Sequence, residues 1–136
     1  MLKRVPLKLS LLIGSIFIGL DQLVKFLLVY NSWEYSMNKG LPFVGDDFLI
    51  SIGLYILLFI TLVFLIFKTG LASKESLNIP IILVLSGVIS NLVDRLLRGG
   101  VIDFIDVKIW PVFNLADIFI TLGLVWLCFV FLFRKA

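Results

Sequence analysis

The chain has no histidine among its 136 residues and a single cysteine, Cys128. The first absence excludes Ser-His-Asp and Cys-His catalysis and the usual zinc sites with imidazole ligands. The second excludes an internal disulfide. Cys128 lies in the apolar run Trp126–Leu132 with no basic group beside it to favour a thiolate, so it reads as filler facing lipid or a neighbouring helix. Charge is scarce as well. Asp, Glu, Lys and Arg make up 15% of residues, against about 25% in a soluble domain, which is too little to cover a globular surface. A soluble enzyme is excluded and, with 61% hydrophobic residues, so is a disordered tail. The net charge of +3 is small. Most Lys and Arg sit near the ends of apolar runs, which speaks for membrane topology and against nucleic-acid binding.

What is present is four apolar stretches in a chain of one-domain length: Leu9–Tyr30, Phe48–Phe67, Ile79–Leu97 and Asn114–Phe133. Each is near the ~20 residues that a helix needs to cross a bilayer core. The sequence therefore predicts one membrane-embedded domain over residues 1–136, all-α, with four transmembrane helices. Lys3, Arg4 and Lys8 precede the first stretch as they would in a signal peptide. However, Gly14-Ser15-Ile16 is a poor cleavage site and the apolar pattern runs on past Asp21 to Tyr30, so a retained helix is expected. Lys3, Arg4, Lys8, Lys68, Lys74, Arg134 and Lys135 fall on one side of these spans. Lys39, Arg98 and Lys108, with Arg95 if counted, fall on the other, among Glu34, Asp46, Asp47, Asp103 and Asp106. By the positive-inside rule both termini are cytoplasmic, and the loops at 31–47 and 98–113 are outside.

A charged side chain at the centre of a span costs ~2.5–3.5 kcal/mol on insertion scales, so those that occur are expected to be used. With this topology they all fall toward the outer face. Asp21 and Lys25 lie one turn apart in the first span, and Asn91, Asp94, Arg95 and Arg98 close the third. Asn114 and Asp117 open the fourth, where Thr121 returns to the face of Asp117. Structural roles compete for several of them. Asp21 with Lys25, and Asp94 with Arg98, have the i, i+4 spacing of helical ion pairs, with Arg95 a second candidate partner for Asp94, and Asn114 has the chemistry of an N-cap. Asp117, a turn into an apolar helix with no basic neighbour in sequence, and Asp103, flanked by Ile102 and Phe104, are harder to explain structurally. Asp106 and Lys108 read as a solvated loop face.

Without histidine, two hydrolytic routes remain. A Ser–Lys dyad needs a neutral lysine, but Asp21 one turn from Lys25 favours the charged ammonium. A pair of carboxylates that cannot both ionise easily fits better: one keeps a proton while the other activates water. Intramembrane Asp and Lys are equally typical of an ion- or proton-coupled carrier, which stands as the competing class. The clustering of polar groups near one face, rather than along a path across the spans, favours the peptidase.

The stretch from Ser86 to Asp117 resembles the lipoprotein signal peptidases (signal peptidase II), bacterial inner-membrane aspartic peptidases with four transmembrane helices. The matching motifs are Asp21-Gln22-x-x-Lys25, Asn38-x-Gly40 with Phe43, Asn91-x-x-Asp94-Arg95, Gly99 or Gly100, Val101-x-Asp103-Phe104 and Phe113-Asn114-x-Ala116-Asp117. They cover nearly the whole chain in order. The resemblance implies that Asp103 and Asp117 are the catalytic pair, and that Asp21, Lys25, Asn38, Gly40, Asn91, Asp94, Arg95 and Asn114 shape the site or hold substrate. It also implies a diacylglyceryl-modified prolipoprotein as substrate, cut on the amino side of the lipidated Cys, with no metal or cofactor. A monomer in contact with phospholipid is expected. An inactive relative that only binds lipopeptides is a further alternative. The family has a small extracytoplasmic β-cradle, and Val101–Trp110 is rich enough in β-branched and aromatic residues to supply a strand of it. Two places depart from the family pattern: Leu41-Pro42 precedes Phe43 where small residues are usual, and Ser90 stands where Gly commonly precedes the Asn, a change expected to tighten helix packing slightly.

The topology has a direct test in intact cells. A membrane-impermeant thiol reagent is expected to label cysteines introduced at Ser36 or Lys108 and to spare Cys128; the reverse pattern inverts the topology.

Overall fold

In the computed structural model, residues 6–40, 48–68 and 78–133 are described. They form four helices and a small sheet: α1 (Leu7–Tyr30), β1 (Ser36–Asn38), α2 (Phe48–Lys68), α3 (Asn78–Arg98), β2 (Val101–Asp103) and α4 (Leu115–Phe133). The helices fall within one or two residues of the four apolar stretches. Among the described residues, α1 and α3 are long and apolar enough to cross a bilayer by length and composition, while the apolar parts of α2 and α4 are shorter, Ile52–Phe64 and Leu115–Val130.

Helix ends are set by local chemistry. Pro6 precedes α1, where its fixed φ is compatible with a helix start. At the other end Ser32 adopts φ 55°, its N–H donates to Val29 O and that of Trp33 to Leu28 O. This is a Schellman closure with Ser in the left-handed position, and it turns the chain toward β1. α3 ends in the same sense at Gly99, φ 74°, where a side chain would be strained. The short return that follows brings β2 antiparallel to β1, pairing Ser36 with Asp103, Met37 with Ile102 and Asn38 with Val101.

The strand that Val101–Trp110 was expected to supply is β2, three residues long and followed by an isolated bridge between Ile105 and Phe113. The reason is a turn. Asp106 accepts from the Lys108 backbone N–H at 2.8 Å and from its ammonium at 2.6 Å, while Lys108 takes φ 65°. That local bonding competes with a ladder.

α3 is the central element, with α1, α2 and α4 packed around it. Its N-terminal half is mostly apolar and buried through Ile81, Ile82, Leu83, Val84 and Val88, whereas its C-terminal half buries Ser90, Asn91, Asp94 and Arg95. Elsewhere the usual arrangement is inverted. Leu11, Leu57, Val125 and Phe129 are each about 60% exposed, while the largest fully buried side chains include Arg95, Lys25, Asn91, Asn114, Asp21 and Asp94. Apolar side chains outside and ionisable ones inside suit a surround of lipid.

α3 and α4 approach closely because glycines face the contact. A Cβ on Gly123 would lie 2.6 Å from Val84 Cγ2 and 2.7 Å from Pro80 O, and one on Gly87 would strike Ala116 O and lie 2.6 Å from Ile120 Cγ1. Small residues that let helix backbones meet are characteristic of membrane bundles. The clash on Gly87 involves backbone at the start of α4, which a rotamer change cannot relieve. Overpacking of this kind typically costs about 1–3 kcal/mol. Gly87→Ala and Gly123→Ala are each expected to lower the thermal unfolding midpoint in detergent, whereas Gly19→Ala and Gly53→Ala, which meet open space, are expected to leave it unchanged or raise it.

Candidate active site

Most of the buried polar side chains form one connected network at the C-terminal ends of α1 and α3 and the N-terminal end of α4, with the two-stranded sheet beside it. At its centre the Lys25 ammonium lies 2.6 Å from Asp21 Oδ2 and 2.7 Å from Asp94 Oδ2, all three side chains being fully buried. Lys25 also donates to Asn91 Oδ1 at 3.3 Å. The intrahelical pair expected between Asp21 and Lys25 is thus present, but half of the lysine's counter-charge comes from α3. An ammonium clamped between two carboxylates is not a free base, which removes the Ser–Lys route.

Asp94 also pairs with Arg98, as the i, i+4 spacing predicted. Arg95, the other candidate partner, goes elsewhere: its guanidinium donates to Lys39 O at 3.3 Å and Gly40 O at 3.0 Å. It fixes the end of β1 instead of neutralising Asp94. Gly40 thus enters the site through its carbonyl. Leu41-Pro42-Phe43, where the sequence departs from the family pattern, lies outside the described residues.

Asn91 and Asn114 connect this network to the two remaining aspartates. The Asn91 amide donates to Asp117 Oδ1 at 2.8 Å. The Asn114 amide donates to Asp103 Oδ1 at 2.7 Å and to Asn91 Oδ1 at 3.2 Å. Asn114 Oδ1 accepts the Asp117 N–H at 3.0 Å while Asp117 Oδ2 accepts the Asn114 N–H at 3.2 Å. This reciprocal arrangement is a capping box, so the N-cap role expected of Asn114 and its place in the site are one and the same. On the far side, Asn38 of β1 donates to Asp103 Oδ2 at 3.1 Å. Thr121, expected to share the face of Asp117, instead spends its hydroxyl on the Asp117 carbonyl at 2.8 Å.

Asp103 is 3% exposed, and burial pushes its carboxyl up to about 6, with the hydrogen bond from Asn38 opposing and the nearby Asp117 charge adding to the rise. Asp106 behaves in the opposite way. It sits on the solvated turn, and the hydrogen bonds from Lys108 hold its carboxyl below the usual range. An open cleft of about 360 Å³ is lined by Asp103 together with Ser36, Met37, Asn38, Lys39, Pro111 and Val112.

Residues 13–133 match the profile of the family described as Signal peptidase (SPase) II. The chain belongs to the signal peptidase II family. It is 31% identical over 137 residues to the lipoprotein signal peptidase of Moorella thermoacetica, covering 87% of this chain and 89% of that one. It is 42% identical over 105 residues to the lipoprotein signal peptidase of Caldicellulosiruptor bescii, covering 74% and 67%. A solved bacterial membrane enzyme superimposes with a TM-score of 0.81 at 24% identity, covering 99% of both chains, so the fold is shared. As a signal peptidase II family member the protein is a peptidase that acts on lipoprotein precursors.

Of the site residues singled out from the sequence, Asp21, Lys25, Asn91, Asp94, Asn114, Asp103, Asp117 and Asn38 are joined in this network, and Arg95 and Gly40 meet beside it. The part played by two other residues, Ser90 and Gln22, was not foreseen. Ser90, expected only to tighten helix packing, donates its hydroxyl to Asp21 Oδ2 at 2.7 Å. Gln22 donates to Ser90 Oγ at 2.9 Å and Asp94 Oδ1 at 2.9 Å, and Arg98 donates to Gln22 Oε1 at 2.8 Å. The available signal was spacing: Ser86, Ser90 and Asp94 recur every fourth residue on one face of α3.

The raised carboxyl of Asp103 carries a stability signature. Between about pH 4 and pH 6 the native state holds a proton that the unfolded chain, with its ordinary value of 3.8, has already lost. Stability therefore falls as pH rises through that window. Thermal midpoints of the detergent-solubilised protein are expected to show this decline, and Asp103→Asn is expected to remove that component of the slope.

Proposed function

We propose that Asp103 and Asp117 are the acid–base pair of an aspartic endopeptidase, which removes the signal peptide from diacylglyceryl-modified prolipoproteins on the amino side of the lipidated Cys. The observation that carries this reading is the convergence of the two carboxylates on Asn91 and Asn114 beside an open cleft. The names of the relatives, lipoprotein signal peptidases, support the substrate.

The chemistry follows from the pair. Two neighbouring carboxylates in a desolvated setting share a proton, because burial and mutual repulsion both oppose full ionisation. The ionised member takes a proton from water as the oxygen attacks the scissile carbonyl. The protonated member donates to the carbonyl oxygen and subsequently a proton reaches the leaving nitrogen. The pair titrates as a unit, so the two roles belong to the dyad. β1, with Lys39 and Gly40 held by Arg95, offers an edge against which an extended substrate segment can lie. The exposed apolar faces of the helices leave the diacylglyceryl chains in lipid while the peptide enters the cleft.

This mechanism goes with a single domain over 1–136 in the bacterial inner membrane, crossing it with all four helices. Both termini lie in the cytoplasm, the pair near the extracytoplasmic face, and the enzyme works as a monomer among phospholipids.

Asn is nearly isosteric with Asp but cannot ionise, and general acid–base catalysis is typically worth about 10²–10⁴-fold in rate. Asp103→Asn and Asp117→Asn are each expected to lower cleavage of a lipidated precursor by that range with lipopeptide binding retained. The double variant loses little more, since both residues serve one step. Asp106→Asn, on the solvated turn, stays close to wild type. Full activity in Asp117→Asn at normal membrane abundance would exclude the aspartic mechanism.

A further inference from the structure

We propose that Lys25, Asp21 and Asp94 form a positioning fork that sets the separation of the Asp103 and Asp117 carboxylates. The proposal rests on the reading of those two residues as the catalytic pair. It comes from where the two carboxylates of the fork direct their remaining acceptor capacity. Asp21 Oδ1 accepts the backbone N–H of Ala116 at 3.0 Å, and Asp94 Oδ2 accepts the backbone N–H of Ile102 at 3.3 Å. Ala116 is the residue before Asp117, and Ile102 is the residue before Asp103. Each arm of the fork therefore holds the backbone amide one residue before a member of the pair.

The arms meet at a single atom. Lys25 Nζ lies 2.6 Å from Asp21 Oδ2 and 2.7 Å from Asp94 Oδ2, so the ammonium fixes how far apart the two carboxylates stand. Their grip on the two amides passes that spacing to α4 and β2. Ala116 and Ile102 are fully buried, as are Lys25, Asp21 and Asp94, so water does not compete for these bonds. The Ala116 N–H belongs to the first turn of α4, where amides have no partner within the helix, and Asp21 supplies one from another helix. Ser90 and Gln22 brace the arms from behind, through Asp21 Oδ2 and Asp94 Oδ1 respectively.

The fork has three consequences that a charge acting at a distance on the pair would not have. Removing its centre releases both amides. It slows the chemical step more than it weakens substrate binding, because the cleft walls at Ser36, Met37 and Val112 are not part of it. Finally, the loss of Lys25 and the loss of an arm are not additive, since both break one device.

The test uses the full-length protein in detergent micelles with a lipidated precursor peptide, comparing wild type, Lys25→Met, Asp21→Asn, their double variant and Asp117→Asn. A misplacement of ~1 Å can cost about 10²-fold in rate, and Lys25→Met is expected to lose about that much in kcat. Its KM is expected to stay within about threefold, the pattern of an interaction used in the transition state and not in uniform binding. The double variant is expected to be no slower than Lys25→Met alone. Amide hydrogen exchange is expected to accelerate at Ala116 and Ile102 in Lys25→Met and to stay unchanged at Phe113, whose N–H is held by Ile105 O. An unchanged kcat, an additive double variant, a rise in KM alone, or unaltered exchange at both amides would overturn the fork. If Lys25→Met does not fold, Asp21→Asn alone decides: exchange rises at Ala116 and not at Ile102, or the proposal fails. Asp117→Asn separates the two levels. Its activity would overturn the catalytic pair itself, whereas an inactive Asp117→Asn beside an unaffected Lys25→Met would overturn only the fork.

Discussion

A single buried ammonium organises the polar half of this molecule. Lys25 is enclosed by Asp21 from its own helix and Asp94 from α3, with no exposure of any of the three. Once a lysine is buried, partners become compulsory. Removing one side of a buried ion pair typically costs about 3–5 kcal/mol, which exceeds the roughly 1.5–3 kcal/mol gained by burying one large apolar side chain. Packing among Leu, Ile and Phe allows helices to slide past one another in lipid, whereas a charge with two required partners permits one register. The close approach of α3 and α4 at Gly87 and Gly123 then sets the depth of the bundle, and the contact between Phe17 and Phe119, with ring centroids 4.8 Å apart, joins α1 to α4.

Much of this was legible in the sequence, for reasons that differ by element. The helices show because a bilayer demands uninterrupted apolar runs, whereas the turns that close α1 at Ser32 and α3 at Gly99 came only with the structure. Asp21 with Lys25, and Asp94 with Arg98, show because neighbours on a helix recur at four residues. The bond from Asp94 to Lys25 does not, since periodicity within one helix carries no information about the helix beside it. The Ala116 N–H and the Asp21 side chain are 95 positions apart, and a backbone donor has no residue type to betray it. Motif resemblance brought Asp103, Asp117, Asn91 and Asn114 to one place without saying which atoms meet.

Where sequence and structure differ, the reasons are of the same kind. β-Branched and aromatic residues after Val101 pointed to a strand without fixing its length, because β propensity reports how side chains fit a half-buried pleat; β2 covers three residues and the Asp106–Lys108 turn follows. Arg95 was grouped with Arg98 as a counter-ion because both are cationic and close in sequence. One turn of the helix places Arg98 over Asp94, whereas Arg95, adjacent in sequence, points away and finds the carbonyls of Lys39 and Gly40 instead. Ser90 in place of glycine looked like a matter of volume and proves to be a matter of hydrogen bonding.

The hydrogen bonds that reach the two aspartates share one property. Those from Asn38, Asn91 and Asn114 side chains and from the Asn114 backbone all come from amide N–H groups. Amides orient a carboxylate without being able to give up a proton to it or take one from it at any pH in which the protein is folded. An imidazole or a phenol in the same position would offer the pair a competing acid or base. Among the described residues the two carboxylates are fastened by amides alone, so on the proposed mechanism the protons that move are those of the attacking water, the substrate and the pair.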